Sequence, residues 1–202
     1  MTAAASDPRH GALPVPEVIR TGRLSLVPLR VGHAAEMAGV LADPALHAFT
    51  GGAPESPEEL RARYARWEAG SPDPAVSWWN WVVRLEEEGC LTGTVQATVT
   101  VAGGPDGGPA AEVAWVVGTA WQGRGIASEA ARALVDWLRE NGIGAVAAHV
   151  RPDHAASGAV AAAAGLVPTG DRQDGEVVWR SGPATRAASA APVAPDAGSA
   201  HA

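Results

Sequence analysis

Residues 111–130 read AEVAWVVGTAWQGRGIASEA, and this stretch decides how the rest of the chain is laid out. Its first part, Glu112 to Val117, is apolar and β-branched with Trp115 among the valines, the composition of a buried strand. Gly118 ends the run, and Gln122-Gly123-Arg124-Gly125-Ile126-Ala127 makes a tight glycine-bearing loop. From Ile126 the apolar period becomes helical. Ile126, Ala127, Ala130, Ala131, Leu134, Val135 and Leu138 fall on one face, and Glu129, Arg132, Asp136, Arg139 and Glu140 on the other. Asn141-Gly142 supplies the stop.

Strand, glycine loop and helix start together make an anion-binding arrangement. The first turn of a helix has backbone N–H groups without intrahelical partners, and the peptide dipoles favour negative charge there. Gly123 and Gly125 let a phosphate approach the backbone, and Arg124 adds a mobile cation. Three phosphate-loop patterns compete. A P-loop requires a lysine, and the chain has none. A dinucleotide fingerprint is nearer, with Gly123-x-Gly125-x-x-Ser128, but it requires a carboxylate roughly 20 positions later. Residues 142–148, GIGAVAA, supply none. The third pattern, Q/R-x-x-G-x-G/A, is met by Gln122, Gly125 and Ala127. This loop, with Glu112-Val113-Ala114-Trp115 before it and Ser128-Glu129-Ala130 after it, resembles the coenzyme A pyrophosphate loop of the GNAT superfamily of N-acetyltransferases. A glycine turn before an alanine-rich helix, with no ligand, is the plain alternative.

The resemblance implies an α/β (α+β) fold: a mixed, mostly antiparallel sheet of about six to seven strands flanked by about four helices. It implies acetyl-CoA as co-substrate, no metal, and a primary amine as acceptor, either a small molecule or a peptide N-terminus. A homodimer is compatible with it. The opening Thr21-Gly22-Arg23-Leu24…Pro28-Leu29, followed by Ala42-Asp43-Pro44-Ala45-Leu46, resembles the Rim-type branch. That branch includes acetyltransferases of ribosomal-protein N-termini, so the resemblance spans about residues 20 to 181.

The 202-residue chain suits one domain with tails: 1–17, 18–182 and 183–202, the tails being rich in Ala and Pro. The net charge of −7 argues against nucleic acid and anionic membrane as main partners and favours a cationic acceptor. The single cysteine, Cys90, excludes an internal disulfide and fits a cytoplasmic location. The carboxylates of Glu86 to Glu88 beside it disfavour a thiolate. The six histidines make no metal-type pair at short spacing. No signal-length or membrane-length apolar run is present.

Along the chain, Leu24–Leu29 reads as a strand and Gly32–Leu41 as a short helix. Ser56-Pro57-Glu58-Glu59 carries an N-cap, a proline at N1 and a capping-box glutamate, opening a helix that ends at Gly70. The resemblance puts His47, Phe49 and Tyr64 near the acceptor wall, with ordinary packing as the simpler role. Ser77–Arg84 is a strand with Trp79, Trp81 and Val83 on the core face and Trp78, Asn80, Val82 and Arg84 on the other. Leu91–Val101 completes a hairpin, and Gly103–Pro109 is a turn. Ala145–Val150 is a strand before an alanine-rich helix, and two strands follow around the Asp171–Gly175 turn.

Acetyl transfer needs a bound coenzyme, a neutral amine, oxyanion stabilisation and a proton for the leaving thiolate. Within the resemblance, the coenzyme falls to Val116, Val117, Gln122, Gly123, Arg124, Gly125, Ile126, Ala127, Ser128 and His154. His154 stands where the family has Asn. Glu112 is the expected general base. The oxyanion is expected at backbone N–H groups near Val116 and Val117, where the family has a bulge. The family's acidic Tyr is replaced by Ala161, leaving Ser157 or water. These departures leave open a second reading, a catalytically weak or inactive acyl-CoA-binding protein of the same fold.

Overall fold

A computed structural model describes residues 13–47 and 51–182. Phe49, residues 1–12 of the expected N-terminal tail and the whole expected C-terminal tail, 183–202, lie outside the described residues. The elements in order are β1 (Ile19–Arg20), β2 (Leu24–Pro28), a 3-10 turn (Val31–His33) leading into α1 (Ala34–Val40), α2 (Pro57–Ala69), β3 (Val76–Leu85), β4 (Cys90–Thr100), β5 (Ala110–Val117), α3 (Ile126–Glu140), β6 (Ala145–Val150), α4 (Ala155–Ala163), β7 (Leu166–Gln173) and β8 (Glu176–Ser181). They build one eight-stranded sheet of order β1-β2-β3-β4-β5-β6-β8-β7. The sheet is one strand larger than the upper expectation, because the two-residue β1 pairs with β2. Among the described strands, only β5 and β6 pair in parallel.

Each face of the sheet is covered by the helices whose apolar stripes match it. The stripe of α3, with Leu134, Val135 and Leu138 all nearly fully buried, packs on Trp79, Trp81, Val83, Val95, Ala97 and Val99. Trp137 sets its edge against both Trp79 and Trp81 at 5.6 Å between centroids. Edge-to-face pairs of this kind contribute about 0.5–1.5 kcal/mol beyond area burial. The core-facing assignment of Trp79 and Trp81 therefore holds, while Trp137 joins the core from a position the helical period did not single out. On the opposite face, α1 and α2 close over Val82 and Leu91, with Tyr64 stacked on Trp67. The remainder of that face, from Asn80 and Gln96 to Ala114, is left uncovered by helix.

Local signals explain the helix starts. Ser56 Oγ accepts from the Glu59 N–H at 3.2 Å, and the Ser56 N–H donates to Glu59 Oε2 at 2.8 Å, closing the capping box ahead of α2. At the other end of the molecule, residues 13–17, assigned to the tail on composition, are docked. The indole N–H groups of Trp81 and Trp137 donate to Glu17 O at 2.8 Å and Glu17 Oε1 at 3.1 Å. The reason is that a buried indole N–H needs an acceptor, and Glu17 is the residue that supplies it.

Two features place the glycine loop. A Cβ on Gly118 would lie 2.6 Å from Val40 O, so only glycine lets the end of α1 meet the exit of β5. Glu129, expected on the solvent face, is instead the anchor of the first turn of α3. Its carboxylate accepts from Thr21 Oγ1 at 2.5 Å and from Arg23 Nε and Nη2 at 2.9 and 2.6 Å. Burial pushes the Glu129 carboxyl up, but the bonds from Thr21 and Arg23 outweigh it and hold it below the usual range. The Thr21-Gly22-Arg23 opening and the Ser128-Glu129-Ala130 motif are thus one structural unit.

Candidate active site

The parallel pairing of β5 with β6 runs only from Ala110↔Ala145 to Glu112↔Ala147. Beyond it β6 turns to β8, and β5 continues against β4 alone to Val117. The two strands therefore part like a wedge, and the backbone of β5 on that side loses its ladder partner. Which groups face the gap follows from the ladder. Gly118 N–H donates to Thr92 O, making Val117↔Gly93 a non-hydrogen-bonded pair. The N–H groups of Val117 and, two residues back, Trp115 consequently point into the gap, whereas that of Val116 is directed at β4. The expected bulge is absent: the β4–β5 register is unbroken from Gly93↔Val117 to Thr100↔Ala110. Gly93 explains the close pairing here, since a Cβ on it would overlap Val116 O.

The loop after β5 is shaped by glycine. Gly123 and Gly125 sit at φ +74° and +77°, and Gly125 is the N-cap of α3 in the left-handed region. Glu129 N–H is the first to bond back, to Gly125 O at 3.0 Å, so the amides of Ile126, Ala127 and Ser128 precede any intrahelical acceptor. Gln122 folds inward and donates from Nε2 to Val117 O at 3.0 Å, tying the loop to the strand end.

A cavity of about 530 Å³ opens on this loop and on the wedge. It gathers Val116, Val117, Gln122, Gly123, Gly125, Ile126, Ala127, Ser128, His154 and Ser157, nearly the whole set named from sequence, with Trp115 and Leu46. Arg124 and Glu112 are the exceptions. Arg124, expected as a mobile cation at the loop, is paired with Glu88 at 2.6 Å instead of lining the cavity. Glu88 also accepts from Trp121 Nε1 at 3.1 Å, and the Arg124 and Trp121 bonds hold its carboxyl low. Burial and the Glu88 charge push the Cys90 thiol up, against any nucleophilic role.

A second cavity, about 350 Å³, lies on the uncovered sheet face and shares Trp115, Val116, His154 and Ser157 with the first. Its other walls include Thr94, Gln96, His149 and Glu176. His149 and Glu176 were not singled out from sequence, because no motif links them and only the β6–β8 pairing brings them to one face. Glu112 lies elsewhere, four residues along β5 from Val116, or about 13 Å at ~3.3 Å per residue. It lines a third cavity with Thr98, Asp106 and Arg180. Ala161 is fully buried in the core, so this position reaches neither the first nor the second cavity. Tyr64 is fully buried and His47 Nδ1 bonds Gly51 O at 3.1 Å, both away from these walls.

Among the described residues no helix is long and apolar enough to cross a membrane, and no group of three or more His, Cys, Asp or Glu is placed to hold a metal. The model of the acetyltransferase (GNAT) domain matches residues 23–167. Among solved structures, RimL, a ribosomal L7/L12 alpha-N-protein acetyltransferase in complex with coenzyme A, is similar at 19% identity and TM-score 0.64, covering 81% of this chain and 97% of its own. An acetyltransferase from Agrobacterium tumefaciens is similar at 24% identity and TM-score 0.59, covering 89% of this chain and 100% of its own. A GNAT-family acetyltransferase from Bacillus anthracis is similar at 18% identity and TM-score 0.61, covering 81% and 93%. No match was found among curated protein sequences.

Proposed function

The chain belongs to the GNAT acetyltransferase family, and from that premise we propose that it moves an acetyl group from acetyl-CoA to a primary amine by direct attack in a ternary complex. The observation that carries this reading is the junction of the two cavities. Trp115, Val116, His154 and Ser157 belong to both, so a thioester reaching through the wedge meets an acceptor lying on the open sheet face.

The loop fits coenzyme A. Three helix-start amides with no intrahelical acceptor, behind two left-handed glycines, suit a pyrophosphate. The Trp115 and Val117 N–H groups facing the gap suit the pantetheine arm and the thioester oxygen, and an amide so placed stabilises the developing oxyanion without reorganising. Ser157 stands at the junction and is the hydroxyl available to the leaving sulfur, directly or through water. At ~13 Å from Val116, Glu112 acts on the amine only through water or by binding a distal part of a longer acceptor.

The test is amine-dependent release of free thiol from acetyl-CoA, with short peptides, polyamines, aminoglycosides and amino acids as acceptors. Turnover with any of these supports the enzyme. Calorimetric CoA binding with no thiol release for the whole panel would select the alternative, a non-catalytic acyl-CoA-binding protein, which the loss of the acidic Tyr position to buried Ala161 favours. Absence of CoA binding would overturn both.

A further inference from the structure

Resting on the acetyltransferase reading, we infer that His149 and Glu176 form the acceptor-amine site, Glu176 drawing in the ammonium and His149 taking its proton. The topology brings them together. His149 is paired with Val178 across the β6–β8 ladder, and Glu176 lies two positions along β8 on the same face. A diagonal pair of this kind has its backbones about 7–8 Å apart, within reach of two long side chains converging on one small ligand. Both side chains are half-buried and line the cavity that meets the coenzyme cavity at Val116 and Ser157. Among the described residues, the His149 ring makes no hydrogen bond or ion pair.

The surroundings suit a cation. Thr94 and Gln96 from β4 bring neutral polar groups to the cavity. Arg151 lines the same cavity, but Asp153 binds it at 2.7 and 3.1 Å, which offsets its own charge. The Asp153 bonds and, in smaller part, the Glu176 charge push the Arg151 guanidinium pKa up. His154, at the start of α4, lines this cavity as well as the one at the glycine loop, and Arg180 and Glu112 line the separate third cavity. Glu176 is thus the carboxylate in this cavity. A volume of about 350 Å³ admits a compact amine or the first residue of a peptide. It is near the low end, about 300 Å³, of small-ligand cavities.

The step balances as follows. The ammonium held by Glu176 gives one proton to His149, and the neutral nitrogen attacks the thioester carbon, forming the N–C bond. The adduct collapses with the C–S electron pair leaving on sulfur. The second amine proton passes to that thiolate through Ser157 or water, and the imidazolium returns its proton to solvent. One proton is released per amide formed. Histidine is a side chain suited to this at neutral pH, being able to accept and release a proton there.

The experiment compares H149Q, E176Q and E112Q with the wild-type chain, using spermidine and a tripeptide with a free N-terminus as acceptors. Expected for H149Q is a fall in kcat/KM at pH 7 of about 10²–10⁴-fold. The loss should shrink at pH 9, where more amine is already neutral, and added imidazole should restore part of the rate. CoA affinity and melting midpoint should stay at wild-type values. E176Q should raise KM for the amine more than it lowers kcat. A wild-type pH–rate profile in H149Q, with the loss falling on E112Q instead, overturns the assignment. Wild-type protein that binds CoA yet acetylates no amine overturns the underlying reading and the assignment with it. Loss of CoA affinity in H149Q would show a structural role and also overturn it.

Discussion

Gly125→Ala and Gly142→Ala form a matched pair that tests whether the loop holds coenzyme. Both glycines are left-handed, at φ +77° and +82°, one at the start of α3 and one just past its end. Neither substitution meets a clash. A Cβ on Gly125 has Arg23 Nη2 at 3.7 Å as its nearest neighbour, an ordinary contact, and one on Gly142 has nothing within 4 Å. The cost in each case is the left-handed backbone, roughly 1–2 kcal/mol for a residue with a Cβ. In a domain of this size about 1 kcal/mol lowers the melting midpoint by ~2–4 °C, so both variants should melt about 2–8 °C lower. Their coenzyme affinities should diverge. If Gly125→Ala rotates the loop, the amides of residues 126–128 lose their aim at the pyrophosphate. One lost hydrogen bond to a charged group is worth about 1.5–3 kcal/mol, which is at least tenfold in Kd. Thermal melts with calorimetric CoA titrations read both quantities. A Gly125→Ala variant with CoA affinity unchanged, or a Gly142→Ala variant equally weakened, would refute the reasoning.

Two further outcomes follow from burial. Tyr64, the single tyrosine, is fully buried, and burial pushes its hydroxyl up to about 12. Because the folded value lies above the unfolded ~10, stability is complete below pH ~10 and is lost as pH rises towards 12, by about 2–3 kcal/mol in total. Tyrosinate absorbance appearing near pH 10 while circular dichroism stays native would contradict this. A chain covering 18–182 lacks Glu17 and leaves the Trp81 and Trp137 indole N–H groups without their acceptors. Each buried unsatisfied donor costs about 1–3 kcal/mol, so it should melt several degrees below a chain covering 13–182. Equal midpoints would mean that residues 13–17 add nothing.

What the sequence alone determined is whatever is written in local periodicity and local backbone chemistry. The β5–loop–α3 stretch, the Ser56 capping box, the tryptophan alternation on β3 and the glycines at Gly123 and Gly125 are consequences of neighbours within a few residues, where sterics and hydrogen-bond spacing leave little choice. The lining of the cavity at the glycine loop was legible for the same reason, since its walls are mostly one contiguous stretch. The tertiary structure decided the rest. The wedge exists because β6 leaves β5 after Ala147, a long-range pairing with no local signature, and it selects the Trp115 and Val117 amides over that of Val116. Arg124 was paired with Glu88, which lies in the β3–β4 turn far away in sequence. Glu129 left the solvent face because Thr21 and Arg23 are more than 100 residues away in sequence yet in hydrogen-bond range in space. The second cavity likewise joins His149 and Glu176 across the β6–β8 ladder, while Glu112, conspicuous in the motif, was carried past it by the rise of its own strand. Side-chain direction on a strand is set by local alternation, but which strands lie alongside is set by burial of the whole sheet, and a site built across strands is visible only once that burial is known.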